Sequence, residues 1–132
     1  MALSRQPLAC NQIEYHPYLN QGRVLAACRR HGMAVVSYCP LARASALLAE
    51  PAVTAAAEQH GRTPAQIVLR WHVQQDGVAA SPRSGNPKRI AENLRVFDFA
   101  LGQEEMEAIG ALSARRYRIC DFDFSPEWDP VD

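Results

Sequence analysis

Three short runs, 8–14, 33–38 and 77–80, alternate with segments of helical periodicity, and this alternation most constrains the fold of the chain. Read along the sequence, the order is β-α-β-α-α-β-α-α. Strands of four to seven residues that are largely apolar are expected to be covered on both faces, which is the signature of a parallel α/β sheet. The local chemistry supports each boundary. The run Leu8-Ala-Cys-Asn-Gln-Ile-Glu14 leads into a His16-Pro17 turn, because a residue before proline disfavours helix. Asn20 is placed to cap a helix over Gly22–Arg30 with Val24, Leu25 and Cys28 on one face, and His31-Gly32 ends it. Met33 to Tyr38 is a strand closed by Pro40, and 44–48 is a loop or short helical turn.

Pro51 opens a helix to His60, stopped by Gly61. Thr63-Pro-Ala-Gln66 has the form of a capping box with proline at the first helical position. Its helix is predicted to reach Gln75, with Ile67, Val68, Trp71 and His72 inward. The last strand, 78–80, is followed by a loop and helices over about 87–95 and 102–109. From Arg115 onward aromatics are spread among acids and prolines, as in an ordered loop laid over another surface.

With 132 residues the chain is one domain or part of one, and 48% hydrophobic content favours a packed core over disorder. Lysine plus arginine equal aspartate plus glutamate at 14 each, so no net field attracts nucleic acid or an anionic membrane. No apolar run approaches the ~20 residues of a membrane span, and the N-terminus lacks the charged and apolar regions of a signal peptide. A soluble, cytoplasmic protein is expected. Cys10, Cys28, Cys39 and Cys120 show no C-x-x-C spacing and read as reduced thiols. The histidines lack metal-ligand spacing, so no metal site is expected.

The loop Ser81-Pro-Arg-Ser-Gly-Asn-Pro-Lys-Arg-Ile-Ala-Glu-Asn93 carries the clearest chemistry. It brings Arg83, Ser84, Asn86, Lys88 and Arg89 to a helix start directly after a strand. Guanidinium forks, a hydroxyl, an amide and helix N–H groups together suit a phosphate monoester. Glu14, Tyr15 and His16 form an apparent acid–base cluster. Neighbouring strand residues point to opposite faces and His16 precedes proline, so a structural role is favoured. The same holds for His72 as a packing histidine and for His31 and His60 at helix ends. Trp128 and Phe124 are either anchors of the tail or walls of a substrate pocket.

Several motifs coincide in order and spacing: Asn11-Gln-Ile-Glu-Tyr-His-Pro-Tyr18, Ser37-Tyr-Cys-Pro-Leu41, Leu69-Arg-Trp-His72 and the Ser81–Asn93 loop. Together they resemble the C-terminal half of an aldo/keto reductase, and Val96-Phe-Asp-Phe99 with Ser125-Pro-Glu-Trp-Asp129 is similar to bacterial members close to the 2,5-diketo-gluconate reductases. The resemblance implies a (β/α)8 TIM barrel, of which strands six to eight and their helices are represented, with 112–132 as the C-terminal loop.

It also implies NADP(H) as cofactor. Gln12 would bond the nicotinamide carboxamide and Tyr38 would stack on the nicotinamide. Cys39, Pro40 and Leu41 would line the pyrophosphate. Arg83, Ser84, Asn86 and Arg89 would clamp the 2′-phosphate, while Glu92 and Asn93 would hold the adenine; Trp128 would face the substrate. Many relatives carry serine or glycine where Cys39 stands, commonly lysine at Arg83, and often a larger apolar residue at Gly85. The family's catalytic aspartate, tyrosine, lysine and histidine belong to the first four strands, so no catalytic residue is expected in this chain. Lys88, the only lysine, sits in the phosphate loop. The expected role is therefore the cofactor half of a reductase for an aldehyde, ketone or sugar-derived carbonyl. The alternative is a non-catalytic fragment that pairs with an N-terminal half or with itself through open sheet edges.

Overall fold

The computed structural model describes residues 6–44 and 46–128; the first five residues, Ser45 within the expected turn and the tail beyond Trp128 lie outside them. Three strands, β1 (Cys10–Glu14), β2 (Ala34–Tyr38) and β3 (Val78–Ala80), form one parallel sheet in the order β1-β2-β3. Gln12 pairs with Val36, Glu14 with Tyr38, and Ser37 with Ala80. Five helices accompany the sheet: α1 (Gly22–Arg30), α2 (Pro51–His60), α3 (Pro64–Val73), α4 (Pro87–Leu94) and α5 (Gln103–Gly110). The expected order of elements is the observed one, with 3₁₀ turns at 42–44, 46–49 and 111–115.

Helix ends follow their local chemistry. Thr63 Oγ1 accepts from the Gln66 N–H at 3.3 Å while Gln66 Oε1 accepts from the Thr63 N–H at 3.0 Å, a complete capping box. Gly61 takes φ 60° at the end of α2, a left-handed conformation that a Cβ would strain. Two expectations shift slightly. Asn20 bonds the Gly22 N–H, but Gln21 is the capping residue of α1, so the amide acts from one position upstream. α3 ends at Val73 rather than Gln75, whose side chain instead donates to the Trp71 carbonyl and accepts from the Tyr15 hydroxyl.

The core lies between one face of the sheet and helices α1, α2 and α3, with α5 packed on α2. Leu47, Val53, Ile67, Val68 and Ile109 are fully buried, each worth ~1.5–3 kcal/mol relative to exposure. Trp71 donates from Nε1 to the Met106 carbonyl, tying α3 to α5. His60 lies 3.0 Å from Glu105, which joins the end of α2 to the start of α5 in keeping with a structural role. His72 is completely buried, and burial pushes its pKa down to about 4, so the ring is neutral. Both its nitrogens face carbonyls, of Val68 at 2.8 Å and Tyr15 at 3.1 Å, and a neutral ring donates to only one of them.

The expectation that the strands are covered on both faces is not met by this chain. Along β2, Val35 and Ser37 are buried, whereas Ala34 is exposed and Val36 and Tyr38 are half-buried. Register and alternation place Gln12, Val36, Tyr38 and Ala79 together on the second face, where Gln12 and Ala79 are exposed. Among the described residues the tail covers this face only at its C-terminal end, over Glu14.

Candidate functional site

Because all three strands are parallel, their C-terminal ends reach one edge, marked by Glu14, Tyr38 and Ala80. Ligand sites of α/β sheets form at such an edge. A cleft of about 740 Å³ opens there, lined by Gln12 and Tyr38 from the sheet and by Arg116, Arg118, Asp121 and Trp128 from the tail. Trp128 is held in place rather than free: its Nε1 donates to Asp121 at 2.9 Å, and the Arg118 guanidinium lies 3.8 Å from its ring centre. Phe124 does not line the cleft; it is 86% exposed and stacks on Phe122.

The tail is fastened by Glu14. Its carboxylate accepts from the N–H groups of Ile119 at 2.7 Å and Cys120 at 2.8 Å, and lies 2.9 Å from His16 Nε2. Burial alone would push the Glu14 pKa up, but the His16 bond and the two N–H bonds hold it below the ordinary 4.5. A second tether joins Tyr117 N–H to the Tyr18 carbonyl at 3.0 Å. Glu14 and His16 are thus a buried structural pair, as expected for this cluster. That the pair grips the tail has no signal in sequence, since more than a hundred residues separate the partners.

Tyr38 is half-buried at the rim of the cleft, and burial, then the nearby Cys120 and Glu14, push its phenol up, so it presents a neutral ring. Directly beyond it the chain is strained. Cys39, Ala42, Arg43 and Ala44 all adopt left-handed φ, between 47° and 57°, which costs on the order of 1 kcal/mol or more per non-glycine residue. Cys39 and Leu41 of this segment are half-buried.

In the loop after β3 the donors are distributed differently from the sequence expectation. Asn86 caps α4, its Oδ1 accepting from the N–H groups of Lys88 at 2.9 Å and Arg89 at 3.4 Å. Pro87 has no N–H, and the Ile90 N–H bonds the Asn86 carbonyl. The helix start therefore has no backbone donor to spare, and any anion here would be met by side chains. Ser84 Oγ accepts from the Asn86 N–H at 3.1 Å and keeps its own proton to donate. Arg83 and Arg89 are exposed and in no ion pair among the described residues. Glu92 lies 3.9 Å from Lys88. Ser84 and Asn93 line a second groove of about 340 Å³ beside Ile90, Leu94 and Phe97.

Of the residues singled out from sequence, Gln12, Tyr38 and Trp128 thus share one cleft and Ser84 with Asn93 another. Arg83, Asn86, Arg89 and Glu92 border the loop without lining either, as do Cys39 and Leu41 on theirs. No group of three or more potential metal ligands exists among the described residues, and no helix there is long and apolar enough to cross a membrane.

Comparison with known proteins agrees on one family. Aldo-keto reductase family 1 member A1 of Mus musculus is 46% identical over 111 residues, covering 77% of this chain and 34% of that protein. An aldo-keto reductase of Mycobacterium avium (strain 104) is 49% identical over 104 residues, covering 79% and 36%. The chain thus spans about a third of the length of these curated relatives. A crystal structure provisionally assigned as a 2,5-diketo-D-gluconic acid reductase B superposes with TM-score 0.93 at 43% identity, over 98% of this chain and 46% of that one. An Asp-to-Ala mutant of Gox0644, solved in complex with NADPH, superposes with TM-score 0.74 at 41% identity, over 79% and 38%. The profile of the aldo/keto reductase family matches residues 2–114, and the chain belongs to that family.

Proposed function

We propose that this chain is the cofactor-binding, C-terminal part of an NADPH-dependent aldo/keto reductase, comprising about strands six to eight of a (β/α)8 barrel with residues 112–132 as its C-terminal loop. The observation that carries the reading is the convergence of Gln12, Tyr38 and Trp128 on one cleft at the C-terminal edge of a parallel sheet, with the Arg83–Asn93 loop following β3 at that edge. The similar Gox0644 structure contains NADPH.

The residues present fit such a ligand. Gln12 is exposed in the cleft, where its amide can donate and accept toward a carboxamide. The neutral Tyr38 ring offers a flat face that fixes the orientation of a stacked aromatic. Arg83 and Arg89 offer two uncompensated guanidinium forks, and Ser84 a free hydroxyl proton, toward a 2′-phosphate. Asn86 positions these groups by capping the helix, Cys39 and Leu41 flank the pyrophosphate, and Glu92 with Asn93 receives the adenine. Trp128, pinned by Asp121 and Arg118, walls the carbonyl side and limits access of water. When bound, the cofactor supplies hydride for reduction of an aldehyde, ketone or sugar-derived carbonyl to an alcohol.

The aspartate, tyrosine, lysine and histidine that handle the proton lie outside this sequence, so the chain alone is expected to bind cofactor without turning over. A second reading, a non-catalytic fragment that pairs with another chain, draws on the open sheet face and on exposed Leu94 and Phe97. Calorimetric titration with NADPH and NADH tests the main reading: preference for NADPH is expected, and equal affinity or no binding would overturn the 2′-phosphate assignment. Consumption of NADPH with a panel of aldehydes, followed at 340 nm, would contradict the absence of the proton-transfer half.

A further inference from the structure

We propose that Cys39 and Cys120 form a reversible disulfide within the chain, which locks the C-terminal tail onto the end of β2. The architecture brings them together from distant parts of the sequence. Glu14 stands opposite Tyr38 in the β1–β2 register, and its carboxylate holds the Cys120 N–H at 2.8 Å. Cys120 is thereby fixed over the strand end that Cys39 directly follows, close enough for the two thiols to act on one another electrostatically. Both are half-buried, open enough for a small oxidant to reach them.

The other two cysteines are not placed to compete. Cys28 is 1% exposed and packs against Asn11, whose amide contacts its sulfur at 3.8 Å. Cys10 starts β1 opposite Ala34, four positions from the Glu14–Tyr38 pair, which is roughly 13 Å along a strand. Cys39 and Cys120 are thus the pair that the described contacts place at one strand end.

A peroxide serves as the two-electron oxidant. The Cys39 thiolate attacks one peroxide oxygen; an S–O bond forms, the O–O bond breaks, and water departs after taking up a proton. The sulfur of Cys120 then attacks the resulting sulfenic acid. An S–S bond forms, the S–O bond breaks, and the oxygen leaves as a second water with the proton of the Cys120 thiol. Two thiols are oxidised and one peroxide is reduced to two waters; a dithiol reverses the step by exchange. Burial, reinforced by Glu14 and Cys39, pushes the Cys120 thiol above its ordinary 9.0, so less of it is thiolate at a given pH and closure slows as pH falls.

The consequence for ligand exchange rests on the cofactor reading. The tail that would be locked carries Asp121 and Trp128, and Cys39 abuts Tyr38, so oxidation would fasten one wall of the cleft to its floor. The full chain, reduced and then exposed to hydrogen peroxide, is alkylated and digested with trypsin without reductant. Peptide 31–43 is expected joined to peptide 119–132, in a chain that migrates as a monomer and is separated again by dithiothreitol. Cys39→Ser and Cys120→Ser should each abolish the link while keeping the far-ultraviolet circular dichroism of the parent. Both peptides recovered fully alkylated, a link through Cys10, or a link between chains would overturn the proposal. NADPH titrations of the reduced and oxidised chain run alongside. Failure of the reduced chain to bind NADPH would count against the cofactor reading, with the linked peptide still deciding the disulfide.

Discussion

Helices α3 and α4 begin with the same chemistry and do opposite things. Each has proline at its first position and a capping side chain before it, Thr63 for α3 and Asn86 for α4. α3 then buries Gln66, Ile67, Val68, Leu69, Trp71 and His72, while α4 buries nothing and leaves Leu94 69% exposed. A cap decides where a helix starts; packing decides what it contributes to stability. The two are also unequal partners. The amide of Gln66, already part of the α3 capping box, donates to the carbonyls of Glu92 at 3.1 Å and Arg95 at 3.0 Å. The C-terminal end of α4 is thus hung on the first turn of α3, which leaves its outer face available for a ligand or a partner.

The contrast is broken most directly by paired truncations. Ile67→Ala in α3 should cost about 2–5 kcal/mol in urea denaturation, whereas Leu94→Ala in α4 should stay within about 0.5 kcal/mol. A comparable loss at Leu94 would mean that another molecule covers α4 in solution. Next in size is the pH response of α3. His72 titrates at about 4 in the folded chain against an ordinary 6.5, so between these values the unfolded chain holds the extra proton. Stability should fall as pH drops through that window, by on the order of 3 kcal/mol. Glu14, whose folded pKa is depressed, adds a further loss only below its ordinary 4.5. A flat stability profile between pH 7 and 5 would count against a neutral, buried His72.

The comparison also shows what sequence reasoning could reach. The capping box of α3 was legible because Thr63, Pro64 and Gln66 act on backbone groups within one turn. The order of elements and the parallel arrangement were legible because apolar runs alternated with helices. The exposed part of the second sheet face was not, since an apolar strand favours cover on both faces whether or not the rest of the sequence supplies it. In the site, Gln12, Tyr38 and Trp128 were reached through family resemblance and only then found to share a cleft. The grip of Glu14 on the tail and the meeting of Cys39 with Cys120 depend on long-range contacts that no local pattern encodes. The basic character of the loop after β3 is legible in the sequence, but its donors are not, because Asn86 satisfies the N–H groups of Lys88 and Arg89 at the helix start.

That distribution of donors makes the exposed helix the informative one for function. If side chains alone meet the phosphate, Arg89→Ala should weaken NADPH by roughly 10- to 100-fold, the worth of one or two charge-assisted bonds. NADH affinity and folding stability should be nearly unchanged in the same variant. An equal loss for both nucleotides, measured by calorimetry, would remove Arg89 from the phosphate contact.

Asn86 gives the smallest expected effect and separates cap from ligand. Asn86→Ala removes the acceptor for the Lys88 and Arg89 N–H groups and should cost about 1 kcal/mol in urea denaturation. Asn86→Asp restores that acceptor, and its charge suits the start of a helix, so stability should return to the parent level. The same carboxylate would stand beside Arg83 and Arg89 and compete with an incoming phosphate, so NADPH should bind more weakly although the helix is intact. If Asn86→Asp bound NADPH as well as the parent does, the phosphate would have to sit away from the start of α4, and the exposed helix would be left with a surface for a partner and no part in holding the cofactor.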